Sequence, residues 1–366
     1  MILNTFKSIA ISVLFLAVGH IGFASDKKED GDDKPFDANE MIMHHVKDAY
    51  GMHIITLNEG KEDERHISIP LPVILWTDNG LTTFMSSKFH HDYHGHEIVE
   101  KNGGKFVNVH EKIYQLNAGE TEVKYDAEGH PTNATMPLDF SITRNVFMMW
   151  VSVVILLFIF FSAARSYKKS KDNVPSGIGS FVEPLVVFVR DEIGKPMIGE
   201  HKYKRYMPYL LTVFFFIWIN NIFGLIPILN GANLSGNIAF TMSLALITFL
   251  ITTFSGNKNY WKHIFWMPGV PVPMKLFLMP IEIIGMFTKP ISLMIRLFAN
   301  ITAGHIIILA LYSLIFIFKT EFMGLVSVPF ALFIGIIEII VTAIQAYIFT
   351  VLSALYFGMA TEEAHH

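Results

Sequence analysis

Pro290-Ile291-Ser292-Leu293-Met294-Ile295-Arg296-Leu297-Phe298-Ala299-Asn300 stands inside an apolar segment that runs from Lys275 to Phe318. As one helix that segment would extend about 65 Å, twice the roughly 30 Å of hydrocarbon in a bilayer. The next apolar segment, Gly324 to Phe357, would reach about 50 Å by the same rise. Both must tilt, kink or do both, with Pro280 and Pro290 as kink points, so the pair predicts a long oblique helical hairpin. Arg296 is costly there. An unpaired arginine at mid-membrane costs at least about 3 kcal/mol and cannot shed its charge as a lysine can. Snorkelling to the interface is the bland alternative, but about twenty apolar residues separate it from Lys319.

Working outward, the rest of the chain is of the same kind. It has 366 residues, 52% hydrophobic and 16% charged, with mean hydropathy +0.42, too apolar for an ordinary soluble enzyme. Three further spans precede the hairpin, Ile142 to Ala164, Tyr206 to Ile228 and Asn237 to Phe254, giving five in all. Residues 177–205 mix Glu183, Arg190, Asp191, Glu192 and Lys195 with apolar positions, which suits a helix lying at an interface rather than crossing. Arg165, Lys168, Lys169 and Lys171 follow the first span directly, and the positive-inside rule puts them in the cytoplasm. The segment before that span then lies outside, and the C-terminus, with Glu362 and Glu363, lies inside.

The outer segment differs in charge from everything after it. Residues 26–140 carry 22 acidic against 11 basic residues, while 141–366 carry 10 against 16. A domain boundary near residue 140 follows. Lys7, the apolar stretch Ile9 to Val18 and the small residues of Gly22-Phe23-Ala24 predict a signal peptide over 1–24, or else an uncleaved anchor. Ser25 to Lys34 is too polar to fold alone. Beyond it, His53 to Leu57, Lys105 to Val109 and Glu122 to Tyr125 read as short strands. Asp78-Asn79-Gly80, Asn102-Gly103-Gly104 and Ala118-Gly119 read as turns, so a small β-rich periplasmic domain is expected over 25–140. It holds ten of the sixteen histidines, including His90, His91, His94 and His96. That cluster reads as a solvated, titratable loop, with a metal site as the less favoured alternative. Cysteine is absent, so no disulfide or thiolate site is available.

Hairpin geometry places polar partners opposite one another. With a turn near residues 320 and 321, Arg296 lies about 24 residues before it and Gln345 about 24 after, at equal depth, where a hydrogen bond between them is expected. His305 and Glu338 sit about 15 to 17 residues from the turn, one titratable group per helix, either a proton relay or a structural clasp. Glu338, Thr342 and Gln345 share one helix face, as do Arg296 and Asn300. Glu282, toward the other end, either lines a proton outlet or is a hydrated interfacial carboxylate.

These residues carry a resemblance. PISLMIRLFANITAG over Pro290 to Gly304, with Glu338, Gln345-Ala346-Tyr347-Ile348-Phe349 and Met359-Ala360-Thr361-Glu362-Glu363, is similar to subunit a of bacterial F-type ATP synthases. The resemblance spans about residues 141–363, taking in Glu183 to Ile193 and Asn221 to Pro227. It implies an all-α polytopic membrane domain in the inner membrane and no catalytic site of its own. Arg296 is by resemblance the essential stator charge facing the carboxylates of a rotating c-ring, with Asn300 and Gln345 beside it. Asn221 and Asn237 would line the outer half-channel. His305 and Glu338 hold positions where many relatives carry an acid and a histidine in reverse order, which preserves the pair. Peripheral-stalk b subunits and membrane lipid are the other implied partners, and no cofactor is. A self-contained proton-coupled transporter is the alternative, but its internal repeats are not found between residues 142–254 and 275–357. Phosphate-cradling glycine loops are absent, and so apolar a chain is a poor reader of nucleic acid.

Overall fold

A computed structural model describes residues 38–39, 42, 46–57, 65–90, 92–126, 129–169, 177–226, 233–318 and 320–363. The expected signal peptide, the polar run Ser25 to Lys34, His91 and Lys171 lie outside these residues. The chain divides into two compact units: Met1–Trp150 with Phe223–Ala232 and His305–Ile334, and Val151–Ile222 with Asn233–Gly304 and Gly335–His366.

The strands all belong to the first unit. β1 (Gly51–Leu57) pairs antiparallel with β2 (Arg65–Pro70). β3 (Pro72–Thr77) and β4 (Gly80–Met85) form a hairpin, which β9 (Leu138–Asp139) extends on the β3 side. β5 (Val99–Lys101), β6 (Gly104–Val109), β7 (Lys112–Leu116) and β8 (Ala134–Thr135) form a four-stranded antiparallel sheet in chain order. The expected turns are used: Asn102 (φ 49°) and Gly103 (φ 73°) link β5 to β6 in the left-handed pair that a two-residue hairpin favours. The segment Glu122 to Tyr125 is not a strand. Only Tyr125 makes a bridge, to Pro131, because Asn133 takes up its backbone instead, accepting from Lys124 N–H and donating to Glu122 O. Inward residues Val73, Leu75, Phe84, Phe89, Val99, Phe106 and Ile113 close a core, with Phe84 and Phe106 ring centroids 5.7 Å apart.

Helix α1 (Arg144–Lys169) starts within this unit, and the chain at its start is tied to the residues just before β1 and to the first residue of β3. Asp48 Oδ1 accepts from Asn145 N–H, and its Oδ2 accepts from the Thr143 hydroxyl. Ala49 O accepts from Arg144 N–H, and Pro72 O from Ile142 N–H. A carboxylate ninety-odd residues away thus acts as the N-cap. Glu111, at the β6–β7 turn with φ 61°, is buried, and desolvation pushes its carboxyl up to about 7 against the pull of Arg144.

In the second unit, α2 (Ile178–Phe188) runs through a π-helical turn, Val189–Gly194, into α3 (Lys195–Ile198). This is the charged stretch expected to lie at an interface. Arg190 and Lys195 both reach Asp191 at 2.7 Å, holding its carboxyl below the usual range. α4 (Tyr203–Leu225) and α5 (Ile238–Ser255) are the next spans, followed by α6 (Lys258–Phe265), whose first turn is capped by Asn257. α7 (Val272–Phe318) has 47 residues and passes through Pro280 and Pro290 as one helix, and α8 (Glu321–Thr361) has 41; their residues 305–334 belong to the first unit. Five helices are long and apolar enough to cross a membrane, α1, α4, α5, α7 and α8.

The core of this unit is built on small and aromatic residues. Ala346, Ala354, Phe357 and Ala360 of α8 are fully buried, and Phe357 stacks on Tyr206 with centroids 4.9 Å apart. Thr350 and Ser353, also fully buried, return their hydroxyls to the carbonyls of Ala346 and Phe349, so no polar atom there needs water.

Candidate functional site

The inward stripe of α7 in this unit is Leu293, Leu297 and Ile301, at i, i+4 and i+8, each almost wholly buried. Arg296 precedes Leu297 by one residue, about 100° round the helix, and is half-buried. Asn300, one turn on, is exposed, as are Ile291, Ile295 and Ala299. Arg296 and Asn300 therefore share the border between the packed face and an open apolar face. Among the described residues the Arg296 side chain makes no hydrogen bond and no ion pair. About two turns earlier on α7, Lys289 Nζ stands 5.7 Å from the ring centroid of Tyr356 of α8.

The hydrogen bond expected between Arg296 and Gln345 is not made. Gln345 points into packing and is 4% exposed, while the Leu293-Leu297-Ile301 stripe holds α7 with Arg296 turned to the flank. Equal depth on two antiparallel helices does not set rotation about their axes. Glu338, Thr342 and Gln345 do form one buried polar stripe on α8.

Glu338 is 3% exposed, and its carboxylate lies against the bare backbone of Gly304. A Cβ added at Gly304 would stand 2.9 Å from Glu338 Oε1 and 3.0 Å from Cδ. The glycine makes room for the carboxylate one residue before His305, which is itself half-buried.

Glu282 lines a cavity of about 460 Å³ with Tyr260, His263, Lys289, Glu362 and Glu363, so titratable groups from α6, α7 and the residues just after α8 meet there. Burial and the nearby Glu282 charge push the Tyr260 hydroxyl up. Asn221, 2% exposed, accepts a 2.5 Å hydrogen bond from Ser235. Asn237 serves as a helix cap, its Oδ1 accepting from Ala239 N–H at the start of α5.

Of the histidine cluster, His90, His94 and His96 are described. Among the described residues no group of three or more His, Asp or Glu comes close enough to hold a metal ion. His94 has the rings of His96 and His110 at 6.2 and 6.4 Å, and His90 ends a 3₁₀ turn with φ 46°.

Sequence patterning alone did not single out Asn220, Ser235 or Tyr356. Asn220 is fully buried beside Asn221, its amide donating to Phe216 O at 2.7 Å. Two adjacent asparagines inside an apolar span were a legible signal, since each must find a partner within the protein. Tyr356 gave none, because tyrosine is common in helical spans.

Comparison with known proteins matches the same residues. Residues 146–358 match the family model of the ATP synthase A chain, and residues 41–140 match a separate domain of unknown function. ATP synthase subunit a of Chloroherpeton thalassium is 47% identical over 234 residues, covering 62% of this chain and 69% of that protein. The subunit a of an Anaeromyxobacter species is 40% identical over 279 residues, 72% of this chain and 66% of that protein. The matched region reaches into all five spans and holds the Arg296, Gly304 and Glu338 positions, and this chain belongs to the family of F-type ATP synthase subunit a, a membrane-sector component.

Proposed function

We propose that this chain is the proton-conducting stator of an F-type ATP synthase in a bacterial inner membrane, with Arg296 facing the carboxylates of a rotating c-ring. The observation that carries this reading is the guanidinium on the border of an open apolar face, with no hydrogen bond or ion pair among the described residues. A fixed membrane cation costs at least about 3 kcal/mol unless a countercharge meets it, and a ring carboxylate moving past supplies one intermittently.

The mechanism is electrostatic. A ring carboxylate keeps its proton in lipid and releases it only beside a fixed positive charge. Arg296 lowers that carboxylate's proton affinity at one point of the circle and bars a protonated, uncharged site from slipping straight across. Protons then enter by an outer half-channel along Asn221, His305 and Glu338, ride the ring, and leave past Glu282 and its cavity. Asn300 and Gln345 flank the arginine's path and Asn237 fixes the start of α5. The residue 25–140 domain would lie in the periplasm and the C-terminus in the cytoplasm, with b subunits bracing the stator. ATP is made elsewhere in the complex. One charge crossing 100 mV yields about 2.3 kcal/mol, so several protons pass per ATP.

The test is ATP-driven proton pumping by inverted vesicles carrying Arg296→Ala, with assembly checked by co-purification of the ring. Lost pumping in an intact complex is expected. Normal coupled pumping would sink the reading.

A further inference from the structure

We infer that the chain holds an anionic phospholipid in a basic cavity where α4 begins and α5 and α8 end. The cavity, about 830 Å³, is lined by His201, Lys202, Lys204, Arg205, Lys258 and Glu363, among others, four fixed cations against one carboxylate. That carboxylate is already engaged. Lys202 Nζ reaches Glu363 Oε1 at 2.6 Å and donates to Thr361 O at 2.7 Å. The side chains of Lys204, Arg205 and Lys258 make no hydrogen bond or ion pair among the described residues; the Arg205 guanidinium lies 5.9 Å from the Tyr206 ring centroid. Three uncompensated cations around one hollow repel each other unless an anion enters it.

The frame is rigid. Asn257 donates its N–H to Ala360 O and its amide to Glu362 O, tying the α5–α6 junction to the end of α8, as Lys202 ties the start of α4. The position selects the ligand. Three membrane helices end at this cavity, so it opens where lipid phosphates sit. Directly before the lining residue Ser255, α5 turns Ile247, Leu250 and Phe254 outward at i, i+3 and i+7, with Phe254 85% exposed. A phosphate in the cavity leaves its acyl chains on this face. Free phosphate shares the headgroup chemistry but would use none of it.

The test uses the full chain in phosphatidylcholine nanodiscs. Dioleoyl-phosphatidylglycerol is titrated in, and retention is read by native mass spectrometry and by the thermal unfolding midpoint. Phosphatidylglycerol is expected to be retained at about one per chain and to raise the midpoint, with inorganic phosphate failing to displace it. The triple variant Lys204→Gln, Arg205→Gln, Lys258→Gln should bind about 100-fold more weakly, roughly fivefold per charge. A control carrying Lys88→Gln, Lys101→Gln and Lys112→Gln loses equal charge in the other unit and should bind as the parent does. Should the triple variant misfold in phosphatidylcholine, Arg205→Gln alone is read for a fivefold loss. Equal retention of phosphatidylcholine, displacement by inorganic phosphate, or unchanged binding by the cavity variant would each overturn the assignment. Lipid retention is read without proton transport, so it stands or falls apart from the stator reading.

Discussion

Arg296 and Glu338 are polar residues that an apolar segment does not tolerate without cause, yet they are handled in opposite ways. Glu338 is packed away, 3% exposed, against a glycine; Arg296 is left on a border with no ion pair. The carboxylate's position depends on Gly304 having no side chain. Gly304→Ala forces either Glu338 or α7 to shift by several tenths of an ångström, at about 1–2 kcal/mol for overpacking. The complex should still assemble, and passive proton conduction through stripped vesicles should fall about tenfold, in line with such a cost. Conduction at the parent rate would show that the carboxylate's placement is immaterial.

At the scale of elements, α8 is the helix whose surface decides the packing of the membrane unit. Its small residues bring neighbouring backbones close, and Gly358 is the extreme case: a Cβ there would stand 1.9 Å from Met197 O of α3. A backbone carbonyl cannot swing aside as a side chain can. Gly358→Ala is therefore expected to cost about 3 kcal/mol and to lower the unfolding midpoint of the purified chain by several degrees. The matched change Gly335→Ala on the same helix meets nothing within 4 Å and should leave the midpoint unchanged or slightly raised. A similar loss in both variants would mean that helix propensity, not close approach, sets the effect.

At the scale of the molecule, the first unit holds the β-rich domain and the start of α1 together around buried charge, and this makes that unit pH-sensitive. Glu111 has its carboxyl raised to about 7 from an ordinary 4.5, with desolvation as the main cause and Asp48 adding repulsion, while Arg144 and Lys47 oppose the rise. Tyr50 and Tyr93 line the same small cavity. A carboxyl whose folded value lies above its unfolded value favours the protonated folded state, so its penalty grows as pH rises from about 4.5 and levels off above about 7. Roughly 3 kcal/mol of domain stability should be lost across that window. Asp48, also raised by burial, adds to the same trend at lower pH. Glu111→Gln, which mimics the protonated form, should flatten the profile and stabilise the domain at pH 8, as followed by limited proteolysis of the full chain. A profile equally steep in the variant would place the titration elsewhere.

The number of spans, their approximate bounds and the two long apolar segments 275–318 and 324–357 were legible because hydrocarbon imposes length and composition on anything that crosses it. The hairpin turns Asn102-Gly103 and Asp78-Asn79-Gly80 were legible because few residues accept their backbone angles. Rotation about each helix axis was not. Nothing in the spacing of Arg296 and Gln345 revealed that Leu293, Leu297 and Ile301 would claim the inward face and carry the arginine to the flank. Nor could spacing bring Asp48 to the start of α1, Glu282 beside His263, or Lys204 and Arg205 beside Lys258. Membrane solvation is a local property, written residue by residue along the chain. Which faces meet is decided by packing among elements far apart in sequence, and only the folded molecule evaluates it.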